Sequence, residues 1–271
     1  MTCLLLVNYG IRIMMFDIVP KACDYSLNNL ACIDYFDLSL IHFPVCWKHT
    51  GLDTPSWGNS ELGTTSTLDT WKAMEKLVQA GKCRNIGVSN FPLCMLHDLY
   101  ISTSIKPSCN QIEVHPYYTR ESLVNYCLSR DICLTAHTPL GGGTLNKQTW
   151  ATTNVGGQGG GSSSIFDTIP IEDPTLQQIG LKFKNKKSAA QVCLRYLLQC
   201  GICVIPKSIR KTRMIENLDI LGAADFEISE DDMATISKLD KYISYKTNPN
   251  PLSAFINGKD QFTVNGTDIF D

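Results

Sequence analysis

From about residue 20 onward, short apolar runs alternate along the chain with segments of helical periodicity. The apolar runs are rich in β-branched residues, which is typical of strands buried on both faces of a parallel sheet. The pattern predicts five such strands, at residues 36–42, 85–89, 110–114, 133–138 and 202–206. One further apolar run, at residues 4–7, lies near the start of the chain.

The segments between the predicted strands carry an apolar stripe on one face, as amphipathic helices do. In one of them Leu68, Trp71 and Leu77 share a face, and Gly81 is a typical C-terminal stop. Further helices are predicted to begin at typical N-cap residues, namely Thr119, Ser188, Thr212 and Ser229. This alternation predicts an α/β fold with a parallel sheet. A closed (β/α)8 barrel needs eight strands, so the five found here predict an incomplete TIM-type barrel.

Two long irregular stretches interrupt this alternation, at residues 49–67 and 141–174. The second is rich in glycine, but no strand leads into it and it has neither a G-x-G-x-x-G nor a GK[ST] spacing. It is therefore interpreted as a surface loop, and contact with a substrate stays open because long loops are often lids. The predicted organisation is a divergent start (1–16) that replaces the early barrel units, a barrel portion (17–245) and a C-terminal tail (246–271).

The composition limits the classes of binding partner and the cellular compartment that we expect for this protein. The net charge of −2 gives no electrostatic reason to expect nucleic acid. No run approaches the roughly 20 apolar residues of a membrane helix, and no basic region precedes residues 4–7, so we expect neither a membrane span nor a signal peptide. The 12 cysteines are irregularly spaced, which favours free thiols in a reducing compartment, the cytoplasm.

Polar side chains stand at the carboxyl ends of the predicted strands, which is where parallel barrels place their active sites. The first is His42, although a lone histidine after an apolar run is more often a satisfied core residue than a catalyst. The other strand ends offer hydroxyl and amide groups, a flat ring and a cationic cluster, at Ser89, Asn90, Gln111, His137, Lys207 and Arg213. Such groups suit a nicotinamide, an adenine and a phosphate. The histidines lie on separate strands without other ligands at metal-binding spacing, so no metal is expected.

Four segments resemble motifs of the aldo-keto reductase family. Residues 34–44 read DYFDLSLIHFP, which is similar to the family signature LDYxDLYLIHWP. The segments GVSNF (87–91), NQIEVHP (110–116) and IPKS (205–208) follow in the family's order. The resemblance covers about residues 17–245. It implies a (β/α)8 barrel that reduces small aldehydes or ketones with NADPH, as a cytoplasmic monomer.

The resemblance also implies a role for each matched position. His42 orients the substrate carbonyl, and Ser89, Asn90 and Gln111 bind the nicotinamide carboxamide. His137 takes the place of the family's tyrosine as the ring that stacks on the nicotinamide. The same motif includes Thr138, Pro139 and Leu140. The 2′-phosphate and the adenine of NADP are bound by residues around the last motif, namely Lys207, Ser208, Arg213, Glu216 and Asn217.

The start of the chain departs from the family pattern. The family mechanism uses a tyrosine as general acid, and a lysine paired with an aspartate lowers the pKa of that tyrosine. The aspartate and the tyrosine normally lie in a GYRHIDTAxxYxNE segment, which nothing in residues 1–35 resembles. By spacing, the position of the lysine falls near Asn8 or Tyr9. We therefore expect the first two barrel strands, and a proper third one, to be missing, with His42 as the one matched catalytic residue.

Three hypotheses follow from this combination. The chain is an NADPH-dependent reductase of carbonyl compounds, a catalytically inactive NADP-binding protein, or an incomplete gene or splice product of an active reductase. The four motifs motivate the first hypothesis, and the departure in residues 1–35 motivates the other two.

Overall fold

The computed structural model describes residues 6–9, 17–30, 33–46, 63–142, 169–221 and 226–242, with two short strands at 263–264 and 267–268. Most of the predicted divergent start, most of both long loops and most of the predicted tail lie outside these residues. The chain divides into two compact units. The first comprises Met1–Ile112, Asn125–Cys133 and Phe270–Asp271, and the second comprises Glu113–Val124 and Leu134–Ile269.

The strands of the first unit are all parallel and pair in chain order. They are β1 (Leu6–Tyr9), β2 (Phe36–Ile41), β3 (Cys83–Ser89) and β4 (Cys109–Glu113), whose last residue is counted with the second unit. The helices are α1 (Val19–Asn29), α2 (Thr67–Gln79) and α3 (Leu93–Ser102). Parallel strands separated by helices confirm the predicted α/β fold.

Strand β1 adds a parallel strand to the five that the sequence predicts. It pairs with β2 from Leu6 opposite Leu38 to Tyr9 opposite Ile41. The apolar run at residues 4–7 is too short to be assigned from its pattern alone, because four residues fit a strand or a helical turn equally well. Its pairing with β2 supplies the main-chain hydrogen bonds that make it a strand.

The core of the first unit depends on a close approach of neighbouring strands. Leu38 and Leu40 of β2 pack with Cys109 of β4. Gly87 of β3 lies between them, because a Cβ atom at this position would be 2.6 Å from the carbonyl oxygen of Cys109 and 2.7 Å from Cδ2 of Leu40. Beside this sheet, the fully buried Trp71 of α2 donates a hydrogen bond of 2.9 Å from Nε1 to the carbonyl oxygen of Ile105.

Among the described residues, the second unit contains two parallel strands, four whole α-helices, a short 3-10 helix (Pro170–Glu172) and an antiparallel strand pair. β5 (Cys133–His137, its first residue counted with the first unit) pairs with β6 (Ile202–Val204). The helices are α5 (Pro174–Leu181), α6 (Ala189–Gln199), α7 (Lys211–Leu218) and α8 (Glu230–Ser237), while α4 (Glu121–Leu128) is divided between the units. The pair is β7 (Thr263–Val264) with β8 (Thr267–Asp268).

The predicted helix caps are confirmed in two cases. The hydroxyl of Ser188 accepts a hydrogen bond from the main-chain N–H of Gln191 and forms a capping box at α6. The hydroxyl of Ser229 accepts one from Asp232 at α8.

Two predicted helix starts are wrong. Helix α7 begins at Lys211, and its N-cap is Arg210 rather than Thr212. The hydroxyl that precedes this helix belongs to Ser208, which accepts a hydrogen bond of 3.1 Å from the main-chain N–H of Arg210. Helix α4 begins at Glu121, because the hydroxyl of Thr119 donates to Asp240 instead of capping the helix.

Two predicted strands extend one or two residues beyond the carboxyl ends of the observed strands. β2 ends at Ile41 and β6 at Val204, whereas the sequence predicts residues 42 and 206. In β6 the last ladder donor is the N–H of Ile205, which reaches the carbonyl oxygen of Ala136 at 3.2 Å. The next residue is Pro206, which has no N–H to continue the ladder.

Candidate functional site

His42 follows the last residue of β2 and is half-buried. Parallel strands place their carboxyl ends at one edge of the sheet, so this position adjoins the ends of β1 and β3. Asn90, the residue after β3, donates a hydrogen bond of 2.8 Å from Nδ2 to the main-chain carbonyl oxygen of His42. The two strand ends are therefore joined through a side chain where the main-chain ladder has stopped.

The ends of β3 and β4 are joined through Gln111. Its main-chain carbonyl oxygen accepts a hydrogen bond of 2.8 Å from the hydroxyl of Ser89 and one of 2.9 Å from the N–H of Asn90. The Ser89 hydroxyl also accepts a bond of 3.0 Å from Nδ2 of Asn90. His42, Ser89, Asn90 and Gln111, which the motifs single out, therefore form one hydrogen-bonded group within the first unit.

The backbone of Asn90 has a φ of 62°, which lies in the left-handed region. Asparagine enters this region more readily than most residues, because its short polar side chain bonds to nearby backbone. The turn is fixed on its other side by Asn110, whose Nδ2 donates to the carbonyl oxygen of Phe91 at 3.0 Å. The local sequence thus directs the Asn90 amide towards His42.

His137 ends β5 in the second unit and is half-buried. Its Nδ1 lies 3.1 Å from the hydroxyl of Thr138, whose φ of 56° begins a turn. The turn closes when the N–H of Gly141 donates to the carbonyl oxygen of Thr138 at 2.9 Å. Within it Pro139 is buried and Leu140 is half-buried. This turn fixes the imidazole at the strand end, where it presents a flat ring.

The segment after β6 carries the cationic cluster. Ala136 of β5 pairs with Val204 of β6, so the two parallel strands end at the same edge of the sheet. His137 is the last residue of β5, and Lys207 lies three residues beyond the end of β6. Lys207 and Arg213 are exposed, and Ser208 is half-buried. Within the ranges the structure describes, neither Lys207 nor Arg213 forms an ion pair. Two further exposed cations stand between them at the start of α7, Arg210 and Lys211, which the motif comparison did not single out.

Glu216 and Asn217 are half-buried residues of α7. The Glu216 carboxylate accepts a hydrogen bond from the hydroxyl of Ser188, the residue that caps α6. Gln191 of α6 donates from Nε2 to the carbonyl oxygen of Glu216 at 3.2 Å. Sequence reasoning missed both contacts, because Ser188 and Glu216 are 28 residues apart and neither sequence neighbourhood indicates the other.

Helix α7 is also held at its C-terminal end. Lys187 donates to the carboxylate of Asp219, and this hydrogen bond, together with the charge of the lysine, lowers the pKa of Asp219. Gln191 donates to the same carboxylate at 3.1 Å. The second unit therefore presents its cations from a helix that is anchored to α6 at several points.

Across the described ranges, no group of three or more His, Cys, Asp or Glu residues is arranged to hold a metal ion. None of the helices in those ranges is both long enough and apolar enough to cross a membrane.

Comparison with known proteins agrees with the four motifs. Residues 18–241 match the model of the Aldo/keto reductase family. The chain is 37% identical over 238 residues to an NADP-dependent D-sorbitol-6-phosphate dehydrogenase of Malus domestica, covering 84% of this chain and 68% of the relative. It is 40% identical over 233 residues to an NAD(P)H-dependent D-xylose reductase of Scheffersomyces stipitis, covering 83% and 68%.

A mammalian relative shows the same extent of similarity. Aldo-keto reductase family 1 member C2 of Homo sapiens is 34% identical over 235 residues, which cover 85% of this chain and 67% of the relative. The family model spans both units of the structure, from α1 to the residues after α8. The chain therefore belongs to the aldo/keto reductase family, and its parallel α/β fold is of the (β/α)8 barrel type.

Proposed function

We propose that the chain is an NADP(H)-dependent oxidoreductase that reduces aldehydes or ketones to alcohols. The observation that carries the proposal is the hydrogen-bonded group of His42, Ser89, Asn90 and Gln111 at the carboxyl ends of β2, β3 and β4. Two of the relatives, an NADP-dependent dehydrogenase and an NAD(P)H-dependent reductase, support the same reaction class.

The donor set fits a dinucleotide. Hydroxyl and amide groups at the ends of β3 and β4 suit a carboxamide, which needs both a donor and an acceptor. The ring of His137 suits a planar nicotinamide. Exposed Lys207 and Arg213 suit a phosphate, since cations in a solvent-facing cluster attract an anion without the cost of burial. We accordingly assign Ser89, Asn90, Gln111 and the segment 137–140 to the nicotinamide end, and residues 207–217 to the adenine and 2′-phosphate end.

When bound, the cofactor supplies the hydride that reduces the carbonyl carbon. His42 has a different task. Its imidazole donates a hydrogen bond to the substrate oxygen, which orients the carbonyl and stabilises the negative charge that develops on it. The bond from Asn90 to the carbonyl oxygen of His42 holds the main chain that carries the imidazole at the end of β2.

One observation favours a second candidate, an NADP-binding protein without turnover. At the ends of β2 and β3 and within β4, the residues that the motifs single out supply an imidazole, a hydroxyl and two amides. The tyrosine, lysine and aspartate that the family uses for proton transfer have no matched positions in residues 1–35. Without a proton donor the reaction loses roughly 10²–10⁴-fold in rate.

The purified 271-residue chain should oxidise NADPH in the presence of a panel of aldehydes, aldoses and ketones, with the loss of absorbance of the reduced nicotinamide as readout. NADPH carrying deuterium at the transferred position should yield an alcohol with deuterium on the former carbonyl carbon, detected by mass spectrometry. His42→Ala should abolish turnover while the affinity for NADPH stays the same.

His97→Gln is the matched control, because His97 lies on α3 and bonds to Tyr126 at 3.0 Å, away from the strand ends. Turnover unaffected by His42→Ala would contradict the assignment of the site. Tight NADPH binding without turnover of any carbonyl would support the second candidate, and absence of both would reject both functions.

We also propose that the protein acts in the cytoplasm, as a monomer, on a small carbonyl compound. None of the ten cysteines within the described ranges is in a disulfide bond, which supports a reducing compartment.

A further inference from the structure

The hydroxyl of Ser188 makes two hydrogen bonds at once. It accepts one of 3.2 Å from the main-chain N–H of Gln191, which caps α6, and it donates one to the carboxylate oxygen Oε1 of Glu216 on α7. A serine hydroxyl has one donor hydrogen and two acceptor lone pairs, so the two roles do not compete. The cap holds the oxygen in place, and its hydrogen is left to bond to Glu216.

The rest of the contact fixes the backbone of α7 independently of Ser188. Gln191 is buried, with 6% of its surface exposed, and its Nε2 bonds both to the carbonyl oxygen of Glu216 at 3.2 Å and to Asp219. Lys187 holds the carboxylate of Asp219. The backbone of Glu216 is therefore anchored by Gln191, while the orientation of its side chain is set by Ser188.

We propose that Ser188 is a positioning residue for the adenine end of the cofactor site. By holding Oε1, it fixes the carboxylate of Glu216 so that Oε2 is presented to the exocyclic amino group of an adenine. In the described residues Oε2 accepts no hydrogen bond, and Glu216 is half-buried, so its carboxylate is accessible to a ligand. The inference rests on the proposed function, since it assumes that a dinucleotide binds along residues 207–217.

The physical basis is the cost of ordering a flexible side chain. A glutamate side chain loses rotamer freedom when it is fixed. The bond from Ser188 fixes it before the ligand arrives, so a hydrogen bond from the ligand is not offset by this loss. An oriented carboxylate also repels a carbonyl oxygen, so it should discriminate adenine from hypoxanthine, which carries a carbonyl where adenine carries the amino group.

The experiment compares the binding of adenosine 2′,5′-bisphosphate with that of inosine 2′,5′-bisphosphate by calorimetry. Both probes carry the 2′-phosphate and neither contains a nicotinamide, so the result does not depend on the site around His42. The wild-type chain should prefer the adenosine compound by roughly ten-fold, the effect of one hydrogen bond to a charged group.

Ser188→Asp separates the two roles of the hydroxyl. Aspartate is as good an N-cap as serine, but its carboxylate has no hydrogen to donate to Glu216. We expect this variant to lose the preference for adenosine and Ser188→Thr, which keeps a hydroxyl, to retain it. Ser188→Gly also removes the donor, and glycine is tolerated at an N-cap, so this variant decides the question if the aspartate variant does not fold.

Ser66→Ala controls for the loss of a cap. Ser66 caps α2 in the first unit by accepting a hydrogen bond of 3.0 Å from the N–H of Asp69. This variant should have lower stability and an unchanged preference. The inference is overturned if the Ser188→Asp and Ser188→Gly variants keep the wild-type preference, if Ser66→Ala loses it as well, or if the wild type binds both bisphosphates equally. If the wild type binds neither bisphosphate, the proposed function fails and the inference fails with it.

Discussion

Asn90 donates a hydrogen bond of 2.8 Å from its side-chain amide to the main-chain carbonyl oxygen of His42. The bond lies just beyond the last residue of β2, where the pairing of β2 with β3 has ended at Ile41 and Val88. The same amide reaches the hydroxyl of Ser89 at 3.0 Å. One side chain thus ties the histidine of the site to the residues we assign to the carboxamide.

Replacing Asn90 by alanine should lower the free energy of unfolding by about 2–3 kcal/mol, measured by urea unfolding without ligand. About 1 kcal/mol is expected for each lost hydrogen bond. A further ~1 kcal/mol comes from holding an alanine at the φ of 62°. Asn90→Gly loses the same hydrogen bonds, but glycine adopts a positive φ without strain. This variant should therefore be about 1 kcal/mol more stable than Asn90→Ala. Equal stability of the two variants would argue against strain at this position.

Gly87→Ala should destabilise the first unit by about 1–3 kcal/mol, because the new methyl group overpacks the space between β2 and β4. The added Cβ would be 2.6 Å from the carbonyl oxygen of Cys109, which cannot move without displacing β4. Gly81→Ala is the matched control, since nothing lies within 4 Å of its Cβ and only its φ of 70° opposes the change. Urea unfolding should show a larger loss for Gly87→Ala, and the reverse order would contradict the close approach of the strands.

The sequence predicts the fold class and the positions of the site residues because both depend on local patterns. The four motifs place His42, Ser89 and Gln111 at strand ends, and the hydroxyl of Ser188 marks a helix start. The contact from Ser188 to Glu216 could not be predicted, since it depends on how two helices pack. A sequence pattern also gives the wrong helix start where two hydroxyl residues lie close together. Helix α7 follows Ser208 and begins before Thr212, which the pattern indicates as its N-cap.

Tyr196 should make the stability of the protein fall at alkaline pH. Burial raises the pKa of its phenol from 10.0 to about 12, and its hydroxyl lies 3.1 Å from that of Ser237. Because the pKa of Tyr196 is higher in the folded state, its contribution to stability is fully present below pH 10. Between pH 10 and pH 12 the phenol ionises in the unfolded state and stays neutral in the folded state. The contribution is therefore lost as the pH rises through 12. The change corresponds to about 2–3 kcal/mol.

Tyr196→Phe removes this group and isolates its effect. At pH 8 the variant should be about 1 kcal/mol less stable than the wild type, because a hydrogen bond is lost. Above pH 10, where the wild type loses the contribution of Tyr196, the difference should shrink and then reverse. Urea unfolding of both proteins, followed by circular dichroism at intervals of pH, checks this. A difference that does not vary with pH would show that Tyr196 does not titrate differently in the folded state.

His137→Tyr should strengthen the binding of NADP⁺ by roughly two- to five-fold. In the proposed site the imidazole of His137 stacks on the nicotinamide, and its Nδ1 lies 3.1 Å from the hydroxyl of Thr138. A tyrosine ring offers more stacking area than an imidazole. Calorimetric titration of both proteins with NADP⁺ measures the change.

Adenosine 2′,5′-bisphosphate is the control for this comparison, because it contains no nicotinamide. Its affinity should be the same for the wild type and for His137→Tyr. If the two proteins bind NADP⁺ equally well, or if the variant binds the bisphosphate more tightly by the same factor, the ring at position 137 does not stack on the nicotinamide.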